Sequence, residues 1–188
     1  MVIYYLDVLA RKTKFLKKKE SKAMNMSPKI LGLSRKDLSI IALNANKGRE
    51  IYAAFLKKDS GPVTYEGMDK VFKLWAEAKA DKKETSEAMG VLFGIFNDSE
   101  SDAKDENEVM ANAFGCLFGE MLKKDFGFEW QLIEDHLGTE KALIDDKTGS
   151  VVYPINTVWK RIEPELSTEP FFKPMHDAIK QHLESLNK

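Results

Sequence analysis

The chain has 188 residues, 43% hydrophobic and 31% charged, with a formal net charge of -1. That size and balance suit one ordinary globular domain and argue against a dedicated nucleic-acid binder, which carries a clear basic excess. The single cysteine, Cys116, excludes an intramolecular disulfide and fits a reducing compartment.

At the N-terminus Asp7 interrupts the apolar run Val2 to Leu6, and the basic residues Arg11, Lys12, Lys14 and Lys17 to Lys19 follow it. A secretory signal places its positive charges first. No segment approaches the roughly 20 apolar residues of a membrane span, so the expected location is the cytoplasm. Residues 2–20 can form an amphipathic helix with Tyr5, Leu6, Leu9, Phe15 and Leu16 near one side. Its ordinary reading is a docked surface helix with solvated lysines, its alternative a contact with anionic membrane or nucleic acid. Lys22 to Gly32 reads as a linker.

Ser34 with Asp37 predicts a helix start, because each can bond the other's backbone N–H. Leu38, Ile41, Ala45, Ile51, Tyr52 and Phe55 recur behind it at helical spacing, with Gly48 as a break or a close contact. Thr64 caps the next helix, whose stripe is Met68, Val71, Phe72, Trp75 and Ala76. Residues 84–96 read as a further helix, and Asn97 to Glu108 as an acidic solvated loop. A calcium loop would need a central glycine and a closing bidentate glutamate at fixed offsets, and this stretch lacks them.

Ala88-Met89-Gly90-Val91-Leu92-Phe93-Gly94 is echoed by Ala113-Phe114-Gly115-Cys116-Leu117-Phe118-Gly119. Paired glycines four apart on a helix let another element approach closely, so Gly115 and Gly119 are expected to meet a sheet built around Trp130 and Tyr153. Cys116 among Phe114, Leu117 and Phe118 reads as a buried small hydrophobe. Gly127 ends that helix; Phe128, Trp130 and Leu132 then alternate with polar residues as a first strand. Lys141 to Ile144 is the second strand, residues 145–149 a hairpin loop, and Val151, Tyr153 and Ile155 the third strand. Asn156 is expected to cap a short helix carrying Trp159, and a closing helix begins near Pro174.

The best polar cluster is Glu134-Asp135-His136, with Glu140 across the turn, where a histidine beside carboxylates could serve as an acid/base or as half of a metal site; a solvated turn is the commoner outcome. His176 and His182 are six apart, about 120° from eclipsed on a helix, and do not form a metal pair. No nucleophile elbow, phosphate loop or Cys-x-x-Cys occurs. Trp159-Lys160-Arg161 offers an aromatic anchor with cations for an acidic partner.

Gly115, Gly119-Glu120, Trp130, Asp135, Gly138, Ala142, Pro154 and Lys160-Arg161 together resemble a bacterial family known as domain of unknown function 3806, over about residues 113–188. The resemblance implies an α+β module with helices against an antiparallel sheet, and it brings no activity.

The expected fold is α+β: a helical region over residues 1–104, then a module over 105–188 with a three-stranded antiparallel sheet and a C-terminal helix, forming one compact unit. The expected function is a non-enzymatic protein-binding protein, most specifically an immunity protein that neutralises a cognate toxin. Glu134, Asp135, Trp159, Lys160 and Arg161 are the expected contact residues, with no cofactor or metal. The alternative is a small hydrolytic enzyme using His136 with Glu134 or Asp135.

Overall fold

Four of the five helices among the described residues begin where a side chain satisfies their first backbone N–H groups. In the computed structural model, which describes residues 28–56, 61–80, 90, 94, 105–135, 138–162 and 169–186, Ser34 and Asp37 exchange hydrogen bonds to each other's backbone N–H and open α1 (Arg35–Leu56). The Thr64 hydroxyl accepts from the Gly67 N–H and opens α2 (Tyr65–Ala80). The Asp105 carboxylate accepts from the Glu108 N–H and opens α3 (Glu106–Phe126). The acidic stretch therefore ends at Asp105, and Glu106 and Glu108 belong to the helix rather than to a loop. Gly127 closes α3 in the left-handed region at φ 76°, its N–H donating to the Lys123 carbonyl.

Among the described residues the sheet has four antiparallel strands in the order β1 (Lys29–Leu31), β2 (Glu129–Asp135), β3 (Gly138–Asp145), β4 (Ser150–Val152). The fold class is the expected α+β, with one strand more than expected. β1 comes from the segment read as a linker: it is three residues long with every side chain exposed, so no burial pattern marks it. Pairing with the edge of β2 makes it a strand. The expected third strand stops at Val152. Pro154 instead opens α4 (Pro154–Ile162), because a residue without an N–H and with φ held near −65° suits the first helical position. Asn156 lies inside that helix, and it is the Tyr153 carbonyl that accepts the Thr157 N–H.

The closing helix, α5 (Phe172–Leu186), starts two residues before Pro174 because a residue far away in sequence caps it. The Asp69 carboxylate, buried on α2, accepts from the backbone N–H groups of Phe171, Phe172 and Lys173 at 2.7, 2.8 and 3.1 Å.

α3 is the hub. It packs against α1 on one side and α4 on another, and Val109, Met110, Phe114, Leu117, Phe118 and Leu122 on it are buried. A Cβ on Gly48 of α1 would lie 2.7 Å from the Ala113 carbonyl, so this glycine is a close contact and not a break. Phe72 ties α2 to the hub through an edge-on contact with Phe114 and to α5 through one with Phe172. Cys116 is buried, and burial pushes its thiol up to about 12.

Candidate functional site

One stripe of α3 faces the sheet: Glu108, Asn112, Gly115 and Gly119, spaced at four, three and four residues, which brings them onto one side of a helix. The strand register sets what lies opposite. Trp130 pairs with Leu143 and Leu143 with Val152, forming one row; Leu31 pairs with Leu132 and Leu132 with Lys141, forming the next row on the same face.

The Trp130 row is closed. A Cβ on Gly119 would fall on the Trp130 ring, and a Cβ on Gly115 would lie 2.5 Å from the Ile155 Cα. Gly119 meets Trp130 as expected, whereas the partner of Gly115 is Ile155 at the start of α4 rather than Tyr153. The Trp130 indole N–H donates to the Glu120 carboxylate at 2.8 Å, which satisfies the one polar group of that ring. Tyr153 packs on the opposite face of the sheet, against Ile133, Ala142 and Ile144.

The Leu132 row is open. Where the stripe changes from glycine to Asn112 and Glu108, α3, β3 and α4 leave a groove of about 330 Å³. Leu132 and Lys141 lie on its floor, Ala111, Asn112 and Glu108 line the α3 side, and Ile155, Asn156 and Trp159 line the α4 side. Thr139 and Glu140 complete the rim. The Asn156 amide donates to both Glu140 oxygens at 2.9 and 2.7 Å, fixing that carboxylate beside the groove. Leu31, 38% exposed, extends the apolar floor toward the sheet edge. An aromatic wall, an apolar floor and a mixed polar rim together suit a protruding apolar side chain held by polar contacts around it.

The residues expected from sequence divide around this groove. Trp159 lines it. Glu134 lies on the same face, paired in register with Thr139 and 4.0 Å from the Lys29 ammonium. Asp135 falls on the opposite face by strand alternation, and His136 lies outside the described residues. Lys160 and Arg161 are exposed on α4, with the Arg161 guanidinium 5.6 Å from the centre of the Phe171 ring. The structure therefore brings Trp159 and the Glu134 edge toward one surface and sends Asp135 and Arg161 elsewhere. Leu31, Leu132, Asn112, Lys141 and Asn156 had no signal of their own; only the register and the α3 stripe assemble them.

A second polar cluster is equally non-local. The Tyr65 hydroxyl donates to Asp125 at 2.7 Å, and burial, then this bond, raises the Tyr65 phenol well above its ordinary value. His176 lies 4.4 Å from the Tyr65 ring and 5.1 Å from the Phe126 ring, centre to centre, with Nδ1 3.1 Å from Asp177. These contacts strap α5 to the ends of α2 and α3. Among the described residues, no group of three His, Cys, Asp or Glu side chains is placed to hold a metal ion, and no helix is long and apolar enough to cross a membrane.

Residues 95–171 match a family model described as "Domain of unknown function (DUF3806)". The resemblance read from the motifs is supported, with its limits moved from about 113–188 to 95–171. The match contains α3, β2, β3, β4 and α4, and so every residue lining the groove; β1, α1 and α2 come from outside it. No curated protein and no solved structure matches the chain.

Proposed function

We propose that the protein is a non-enzymatic binding protein that seats part of another protein in the groove between α3, β3 and α4. One observation carries this reading. A sheet face that is sealed at Trp130 is left open one row away, where half-buried Leu132 lines a groove walled by Trp159 and the exposed Leu31 continues the row to the sheet edge. Apolar floor left accessible on a rigid scaffold is what a partner's anchor residue needs. The rim charges Glu108, Glu140 and Lys141 would set its orientation and specificity.

The partner class we carry forward is a toxin, with this protein as the bacterial immunity protein that neutralises it in the cytoplasm. That reading rests on the small α+β fold and its charged surface runs. The test is co-expression with the toxin-bearing product of an adjacent gene. The wild type should restore growth and form a complex. Leu31→Asp combined with Trp159→Ala should lose both while keeping a native circular dichroism spectrum. Neither rescue nor complex with the wild type would overturn the reading.

A further inference from the structure

The groove between α3, β3 and α4 is not uniformly apolar, and its polar groups narrow what can fill it. Among the described residues that line it, Glu108 and Glu140 are acidic and Lys141 is basic. The Asn156 amide donates to the two Glu140 oxygens at 2.9 and 2.7 Å. A carboxylate offers about four acceptor sites, so Glu140 is oriented by Asn156 and can still accept from an occupant. The charge of Lys141 is partly answered from α1. Asp37, in the first turn of that helix, is held below the usual carboxylate range by its bonds with Ser34 and, more weakly, by Lys141.

An occupant that closes the groove takes water away from these groups. A purely apolar side chain would cover Leu132 and Ile155 but leave Glu140 without the donors that water supplied, and the loss subtracts from affinity. A cationic side chain with an apolar stem meets both needs, because the stem buries while the charged head finds acceptors.

We propose that the groove seats an arginine side chain of the partner protein, its stem on Leu132 and Ile155 and its guanidinium against Trp159 and on the Glu140 carboxylate. The proposal rests on the groove being a partner's seat and names the anchor that enters it. Arginine suits the place better than lysine, since its planar fork matches a carboxylate held in a fixed plane and its flat face lies well on an aromatic ring. The volume of about 330 Å³ has room for one long side chain rather than for a whole helix or strand. The chain already makes both kinds of contact within itself. The Lys79 ammonium lies 4.9 Å from the centre of the Trp75 ring, whose indole N–H donates to Glu106. The Arg161 guanidinium lies 5.6 Å from the centre of the Phe171 ring.

The test is an NMR titration of the isotope-labelled full-length chain with acetylarginine amide, acetylcitrulline amide and acetylleucine amide, each up to its solubility limit. Citrulline keeps the length and the flat end of arginine without its charge. The arginine probe should move the Trp159 indole and Asn156 amide signals saturably. It should leave in place the indole signal of Trp130, which donates to Glu120 in the closed row. Citrulline should bind about 10-fold more weakly, and Glu140→Gln should weaken the arginine probe by about 10-fold while keeping a native circular dichroism spectrum. Equal affinity for citrulline, full affinity in Glu140→Gln, or no Trp159 shift with the arginine probe would each overturn the proposal. Saturable binding of the leucine probe alone would overturn it too, yet keep the groove as a seat for an apolar anchor. The broader reading fails separately, when the wild type neither restores growth nor forms a complex.

Discussion

Trp130 and Leu132 stand two residues apart on one strand and share one face, yet Trp130 is 5% exposed beneath α3 and Leu132 lines an open groove. The difference does not lie in the strand. It lies in the helix stripe above it, which reads Glu108, Asn112, Gly115, Gly119 from the open end to the closed end. Where the stripe is glycine, the Trp130 ring and the α4 backbone occupy the space a side chain would need. Where it carries longer polar side chains, the elements stand apart and leave floor uncovered. A helix can thus make core with one half of a stripe and a binding surface with the other.

The largest test of this contrast is Gly119→Leu. Its side chain has no place except that of the Trp130 ring, so stability should fall by about 3 kcal/mol, the upper part of the usual overpacking range. Cys116 reports the same event independently. Its thiol is buried and pushed up to about 12, so labelling at pH 8 should wait on opening of the core. A loss of about 3 kcal/mol should then accelerate labelling by roughly 100-fold. Unchanged labelling in a destabilised variant would place the damage away from α3.

Glu120→Ala probes the same end through its hydrogen bond. It leaves the Trp130 indole N–H buried without its acceptor, and a loss of about 1 to 2 kcal/mol in chemical denaturation is expected. Gly94→Ala asks whether the repeated glycine pattern or its location matters. Gly94 is exposed, with no described atom within 4 Å of an added Cβ, so alanine should raise stability by up to about 1 kcal/mol through helix propensity. A loss there would show that the first copy of the echo is packed like the second. Glu140→Lys at the open end gives up the exposed Asn156 bonds and should change the unfolding free energy least, by about 0.5 kcal/mol, while reversing the rim charge that a partner meets.

Much of the closed end could be read from residues alone. Gly119 against Trp130 follows from a small-residue helix beside an alternating strand, and Ser34, Thr64 and Gly127 mark helix ends by their own chemistry. The open end was hidden because it depends on pairing across the sheet. Leu31 sits in a three-residue strand with no alternation, and only its register with Leu132 reveals the floor. Pro154 was ambiguous for a related reason: a proline suits both a strand end and the first turn of a helix, and Ile155 packing on Gly115 decides for the helix. The Asp69 cap on α5 and the Tyr65, Asp125 and His176 strap join residues far apart in sequence, so no local pattern announces them.

The most direct measurement places the same side chain at both ends of the face and compares the two by chemical denaturation. Gly119→Leu should lower the unfolding free energy by about 3 kcal/mol, whereas Thr139→Leu, on the exposed rim of the groove, should change it by about 0.5 kcal/mol or less. Equal losses for the two variants would contradict the account, because they would mean that the face is packed alike along its length and that no groove stands open.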